Sequence, residues 1–466
     1  MLPALLFAAA VGLTSSGRPI ESTRVAAASQ DAPTVLLVGG LDGDRGTADA
    51  VEQAAARQRR QPRAFHLVAI PMANPERAPL AFPPVGVAYR DNAESHYLWR
   101  WIGAHSPDIV LIAGPDAGLA AAANAVAGTG RIPARQFDSL AAIRLPLATS
   151  EAHTELDRRR ARTPRQVAEQ LAAVYGHELP QAVYIPAVAV IARLRLGDVP
   201  DAARLAAPYL DGTADSLARP TGSHLAGHLL FAELGARTGR PAYTELVRRA
   251  ADIAMPLHDQ MSDAVFMGCP ILAAAGKLTG DTGYYARSLE HLRNMQALCL
   301  RPDGLYRHSP LNEAAWGRGN AFPALGLAWA LTWIPESDPA FVPMRTAFQR
   351  HLAALAPYQD EDGMWHEVID QPGVWPEFSA TAMIGTAMQM GVRRGWLEAR
   401  TFQDRIDRAW RAVSARTAPD GSLLDVCEST GKQKSAADYL RRAALAGRDP
   451  RGGAMALLFA VTMAGL

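Results

Sequence analysis

The residues best suited to chemistry lie in the second half of the chain. Asp263 heads the apolar run Ala264-Val-Phe-Met267. A carboxyl group in such a setting can deliver a proton and recover it, the work of a general acid/base. An Asp before a helical run also reads as a helix N-cap. The turn signal Asp303-Gly304 leads to His308 and predicts a histidine on a pocket rim, although a lone His also serves structure. Trp316-Gly-Arg318 sets an indole face beside a planar guanidinium fork of the kind that grips a carboxylate at two points. Tyr184 and Trp365 are further aromatic candidates for stacking on a substrate, and Glu377 reads as a brace of the scaffold.

These residues need a frame. From Thr163 onward, helical stretches recur between turn signals such as Gly197-Asp198, Asp211-Gly212 and Asp420-Gly421. Amphipathic periodicity is visible in Val183 to Arg195, Leu225 to Leu234 and Ala324 to Trp333. Helices joined by short turns are antiparallel neighbours, and a dozen of them predict a toroid of helix pairs with the glycine turns on one rim. Residues 33 to 150 differ. Apolar runs at Pro33–Gly40, Phe65–Ile70 and Asp108–Ala113 alternate with helical stretches at Thr47–Arg59 and Tyr97–His105. That alternation predicts an α/β module with a parallel or mixed sheet. Glu151 to Arg165 is charged and reads as a linker, its arginine cluster Arg158-Arg-Arg-Ala-Arg162 solvated rather than bound to nucleic acid. At the front, Leu2 to Leu13 is apolar and small residues follow at Ala26–Ala28. This is the pattern of a secretory signal without its basic start, and it predicts a secreted or periplasmic protein, with a cytoplasmic one as the alternative.

Composition bounds the partners. The chain has 466 residues, 47 Lys+Arg against 46 Asp+Glu, and a net charge of +1. So balanced a chain has no global field for nucleic acid or an anionic membrane. Three cysteines do not make a disulfide framework. What remains is a globular enzyme or binding protein.

The helical half resembles the unsaturated rhamnogalacturonyl and glucuronyl hydrolases, glycoside hydrolase families 105 and 88. The fragments are Asp263-Ala-Val-Phe-Met-Gly-Cys-Pro270, Leu278-Thr-Gly-Asp281, Asp303-Gly-Leu-Tyr-Arg-His308, Trp316-Gly-Arg-Gly-Asn320, Asp362-Gly-Met-Trp365 and Glu377-Phe-Ser-Ala-Thr-Ala-Met383. Their order holds from Tyr184 to the C-terminus. The resemblance implies a multidomain chain in which the α/β module of residues 31–150 precedes an all-α (α/α)6 barrel over residues 166–466. It also implies removal of a Δ4,5-unsaturated uronic acid from the non-reducing end of oligosaccharides left by a lyase. In that reaction an acid protonates C4 of the enol ether, water adds at C5, and the hemiketal opens and expels the rest of the sugar. Neither metal nor organic cofactor is needed. Asp263 is implied as acid/base, with His308, Trp316, Arg318, Tyr184, Ser223, His224, Phe322 and Trp365 around the substrate. There are departures. The stretch Thr221-Gly-Ser-His-Leu-Ala-Gly227 offers Ser223 and His224 where the family has a second Asp, and Phe322 replaces the closing Trp of the third motif. A histidine upstream of the acid has no clear match, since His258 stands nearer to Asp263 than the pattern requires. A carbohydrate-binding pseudoenzyme with an altered site therefore stands as the alternative.

The front module resembles, weakly, the core of zinc carboxypeptidases and related deacylases through Val38-Gly-Gly-Leu-Asp-Gly-Asp-Arg45, Ile70-Pro-Met-Ala-Asn-Pro75 and Pro107-Asp-Ile-Val-Leu-Ile-Ala-Gly114. Asp42, Arg45 and Gly114 stand where that family has His, Glu and His. Arg cannot ligate zinc and Gly has no side chain, so the resemblance implies a non-catalytic module. An unrelated Rossmann-like or flavodoxin-like spacer is the alternative.

Overall fold

The computed structural model describes residues 9–126, 128–255, 259–371 and 373–466; His258 lies outside them. Two compact units emerge, one of residues up to Ala161 with Gln371–Trp375, the other of Arg162–Asp370 with Pro376–Leu466. Among the described residues no helix is long and apolar enough to cross a membrane.

The first unit is built on six strands: β1 (Ala9–Leu13), β2 (Pro19–Val25), β3 (Thr34–Val38), β4 (His66–Ile70), β5 (Ile109–Ile112) and β6 (Ala134–Gln136), in the order β1-β2-β4-β3-β5-β6. The last four run parallel, while β1 and β2 are antiparallel to their neighbours, so the sheet is mixed. β3 is central, and Val35, Leu36, Leu37 and Val38 are all fully buried, as a strand covered on both faces requires. Helices α1 (Arg45–Arg60), α2 (Ala93–His105), α3 (Leu119–Ala125) and α4 (Glu151–Arg160) complete the unit. Asp44 caps α1 by accepting from the Thr47 N–H.

Two boundaries differ from the sequence reading. Residues 9–25, expected as part of an apolar leader or N-terminus, are strands of this sheet, with Thr23–Val25 paired to β4. The charged run expected as a linker is mostly helix α4, because Ala152 and Leu156 are buried and Ser150 caps the helix start. At the carboxyl end of β5, Gly114 has φ +89°, and a Cβ there would stand 2.6 Å from the Thr47 methyl. A ligand-bearing side chain has no room at that position. Asp42 accepts the Asp44 N–H at 3.0 Å and Arg45 pairs with Asp49, so both are spent on the local turn and helix. Among the described residues no three His, Cys, Asp or Glu side chains converge as a metal site would need.

The second unit is helical. Six inner helices close a ring: α6 (Tyr184–Arg195), α9 (Leu229–Thr238) with its preceding turn α8 (Gly222–Gly227), α11 (Ala264–Thr279), α13 (Gly317–Trp333), α15 (Phe378–Arg393) and α18 (Pro450–Met463). Each packs on the next, and α18 returns to α6. The outer layer is α5 (Pro164–Ala172), α7 (Val199–Leu210), α10 (Pro241–Ala254), α12 (Gly283–Cys299), α14 (Phe341–Leu355) and α16 (Ala399–Ala415). A short antiparallel pair, β7 (Leu423–Cys427) and β8 (Ala444–Gly447), flanks helix α17 (Ala436–Leu440). Inner helices are apolar on nearly every face, which marks a helix buried all round; α13 is buried from Gly317 through Leu331. Its Gly326 meets the backbone of α11, where a Cβ would stand 2.6 Å from Phe266 Cα, so the two inner helices approach closely only because this residue is Gly.

Candidate active site

Asp263 sits at the start of α11 with helical torsions, φ −54° and ψ −31°, and its carboxyl makes no capping bond. Asp263 thus stands at the N-cap position without capping, and its side chain is free to face elsewhere. It lines a cavity of about 150 Å³ together with Thr221, Ser223, Asp259, Met261 and Met267. His308 Nε2 stands 3.1 Å from Asp263 Oδ2. The contact is off the line of a good hydrogen bond, and neither atom has a hydrogen-bond partner among the described residues. A buried, unsatisfied carboxylate oxygen is costly unless something else takes it up.

The sequence motifs explain how this pair is held. Asp303 accepts the Leu305 N–H at 3.1 Å and Gly304 takes φ +87°, which turns the chain toward His308. Asn320, the last residue of Trp316-Gly-Arg-Gly-Asn320, accepts from the Tyr306 N–H at 2.8 Å and donates to the Tyr306 carbonyl at 2.9 Å. It thus ties the histidine-bearing turn to α13. The Ser262 N–H donates to the His308 carbonyl at 2.9 Å, which ties the same turn to the start of α11. His308 is fully buried between Trp316, at 4.6 Å between ring centroids, and Tyr439, whose hydroxyl is 2.8 Å from its Nδ1.

Arg318 is almost fully buried. Its Nη1 donates to Ser379 Oγ and to the Cys427 carbonyl, both at 3.2 Å, and its Nη2 has no hydrogen-bond partner among the described residues. Burial works against its charge, but Cys427, Glu377, Tyr184 and Glu367 more than offset that and raise its pKa above the ordinary value. One arm of the fork is thus left as an unsatisfied donor. Tyr184 is half-buried, edge-on to Phe322 at 5.6 Å and to Phe266 at 6.1 Å. Burial pushes its phenol up; Arg318 pulls it down and Asp263 pushes it further up, so the hydroxyl lies within the field of both groups.

Other expected contacts fall out differently. Trp316 is buried, with Arg318 over its ring at 5.1 Å and its N–H donated to Glu367 at 2.9 Å, so it presents no face to a sugar. Trp365 is fully buried, and its N–H is donated to the Leu355 carbonyl. Phe322 is buried in the aromatic cluster beneath Tyr184. These three shape the barrel wall, because large aromatics are what close-packed inner helices bury. His224 does not line the cavity, although Ser223 does; its ring bonds Thr221 in the N-terminal cap of α8, and burial lowers its pKa. Glu377 is a brace, accepting from the N–H groups of Ser379 and Cys427 at 3.0 and 2.9 Å at the head of α15.

Three residues escaped sequence reasoning. Asp259 shares the cavity with Asp263, and its spacing of four residues was a legible signal. Tyr439 carries no local signal, since it lies 131 residues from the histidine it bonds. Glu367 is fully buried behind Trp316; burial and the neighbouring Glu377 push its carboxyl well above the usual range, and the Cys427 thiol donates to it at 3.1 Å.

Comparison with known proteins bears on the helical unit. The unsaturated rhamnogalacturonyl hydrolase YesR of Bacillus subtilis is 26% identical over 198 residues, 41% of this chain and 55% of that protein. An unsaturated 3S-rhamnoglycuronyl hydrolase of Alteromonas is 24% identical over 174 residues, 35% of this chain and 42% of that protein. The chain thus spans about half the length of the curated relatives it matches. A family 105 glycoside hydrolase from C. acetobutylicum superposes with a TM-score of 0.57 at 18% identity, over 65% of this chain and 99% of its own, and shares the helical barrel. Residues 224–466, more than half of the chain, match the Glycosyl Hydrolase Family 88 model, and the protein belongs to that family.

Proposed function

We propose that the protein is a glycoside hydrolase that removes a Δ4,5-unsaturated uronic acid from the non-reducing end of lyase-generated oligosaccharides. The observation that carries this reading is the Asp263 carboxyl, unsatisfied at Oδ2, lining a small cavity and facing His308. Protonated Asp263 gives its proton to C4 of the enol ether. Water adds at C5 and returns a proton to the carboxylate, so one group serves as acid and then as base. The hemiketal opens and the remaining sugar leaves. Arg318, with one unsatisfied arm of its fork, suits the uronate carboxylate. Ser223 is placed for the ring hydroxyls. The cavity is smaller than the roughly 300–1,000 Å³ of ordinary ligand pockets, which favours a single terminal ring over a chain threaded through. No step calls for a metal or an organic cofactor. The front unit is read as non-catalytic, because Asp42, Arg45 and Gly114 cannot replace a zinc ligand set.

The test is loss of the enol ether's ultraviolet absorbance when the protein is incubated with lyase digests of pectin, ulvan and glycosaminoglycans. Loss with the native protein and none with Asp263→Asn supports the reading. Binding without loss would assign a carbohydrate-binding pseudoenzyme instead.

A further inference from the structure

We infer that Tyr439 is a positioning residue: it holds His308 as the neutral tautomer that carries its hydrogen on Nε2, so that an N–H rather than a lone pair faces Asp263. The inference rests on Asp263 being the acid/base of the proposed reaction.

The donors fix the hydrogens one after another. A main-chain N–H can only donate. That of Gln433 reaches the Tyr439 hydroxyl oxygen at 3.2 Å and occupies one of its lone pairs. The phenol is fully buried, and burial raises its pKa, so it keeps its proton. The Asn312 and Ser309 side chains also lie against this hydroxyl, and of its neighbours His308 Nδ1, 2.8 Å away, is the ring lone pair placed to take the proton. Nδ1 then holds a lone pair, and the hydrogen of a neutral imidazole must sit on Nε2, which stands 3.1 Å from Asp263 Oδ2.

The opposite tautomer is worse at both ends. It would turn the Tyr439 proton away from its buried acceptor and leave a bare Nε2 lone pair 3.1 Å from a carboxylate oxygen. It would also spoil the chemistry. With a lone pair on Nε2, protonated Asp263 would hydrogen-bond its acid proton to the ring instead of offering it to C4. With a hydrogen on Nε2, the acid proton of Asp263 has no acceptor in His308 and goes to substrate, and the carboxylate left behind has the positive end of an N–H dipole 3.1 Å away. The carrier of Tyr439 is itself anchored, because Asn312, four residues after His308, donates to the Gln433 carbonyl at 2.6 Å. The C-terminal segment of the barrel therefore controls the proton inventory of a site whose acid lies on α11.

The experiment uses full-length protein labelled with ¹⁵N-histidine, with His308 assigned by comparison with His308→Gln. Long-range ¹H–¹⁵N spectra are expected to show a protonated Nε2 and a hydrogen-bonded, unprotonated Nδ1. In Tyr439→Phe the ring packing on His308 and Trp316 is kept, but the Nδ1 resonance should move to that of an unbonded nitrogen or split between tautomers. The variant's kcat should fall about tenfold, the scale of one hydrogen bond, with KM unchanged. An Nδ1–H tautomer in the native protein overturns the inference, as does a variant with native kcat and native spectrum. The native spectrum suffices if the variant does not fold. A native protein that shows the expected tautomer but leaves the enol ether intact would defeat the proposed function and leave the tautomer assignment standing.

Discussion

The two units each hold an aspartate–histidine pair, and the pairs are built in opposite ways. In the α/β unit Asp108 is wholly buried and saturated. It accepts the Thr34 N–H at 2.8 Å, the Ser150 N–H at 3.0 Å and His153 Nδ1 at 2.8 Å. Three segments meet on this one carboxylate: the start of β3, the approach to β5 and the head of α4. Burial alone would raise its pKa, but His153 and the two main-chain donors more than offset that and lower it. His153 is raised, chiefly by its bond to Asp108. In the barrel, Asp263 touches His308 at a poor angle, leaves Oδ2 without a hydrogen bond and borders a cavity. A satisfied buried pair is a structural latch, whereas an unsatisfied one beside open space has capacity left for a ligand.

The contrast can be broken in order of effect. Asp263→Asn should lower kcat on an unsaturated uronide by about 10³-fold or more with little change in melting temperature, because the lost group is chemical rather than structural. Asp108→Asn should do the reverse. An amide cannot accept all three donors, and breaking a buried pair costs about 3 kcal/mol, to be read as faster amide exchange in β3 and α4 with turnover preserved.

The latch also predicts a pH window. Asp108, with its lowered folded pKa, adds stability above its ordinary value, and that is lost as pH falls through the folded value. His153, with its raised pKa, adds stability that is fully present below about 6.5 and lost as pH rises through its folded value. Exchange at Thr34 and Ser150 should be slowest between those limits and should flatten in His153→Ala. The smallest effect belongs to Glu367. Its folded pKa is raised, so the native state keeps a proton that the unfolded chain releases, and stability falls as pH rises above the ordinary carboxylate range. Glu367→Gln keeps an oxygen for Trp316 and Cys427 and removes that penalty. Its melting temperature should exceed the native one at pH 8 and match it at pH 4.

Much of this was legible along the chain. The continuous apolar runs of β3 and β5 announced buried parallel strands, and the helix–turn–helix rhythm after Thr163 announced the barrel. Motif order singled out Asp263, His308 and Arg318, which the fold leaves with unsatisfied polar atoms. The aromatic residues misled. Trp316, Trp365 and Phe322 look alike in sequence whether they line a pocket or fill a wall, since only their neighbours decide exposure. The pairing that holds 9–25 in the sheet was missed because β2 joins β4, about forty residues away and antiparallel, a pairing that local pattern does not encode.

By itself, then, the sequence determined the periodicities, the turn chemistry and the candidate for the acid, all of which depend on residues near one another in the chain. Only the tertiary structure decided what that acid meets. Tyr439 behind His308 and the buried Glu367 under Trp316 arrive from distant segments. Hydrogen bonds and desolvation act over a few ångströms of space, whatever the distance along the chain.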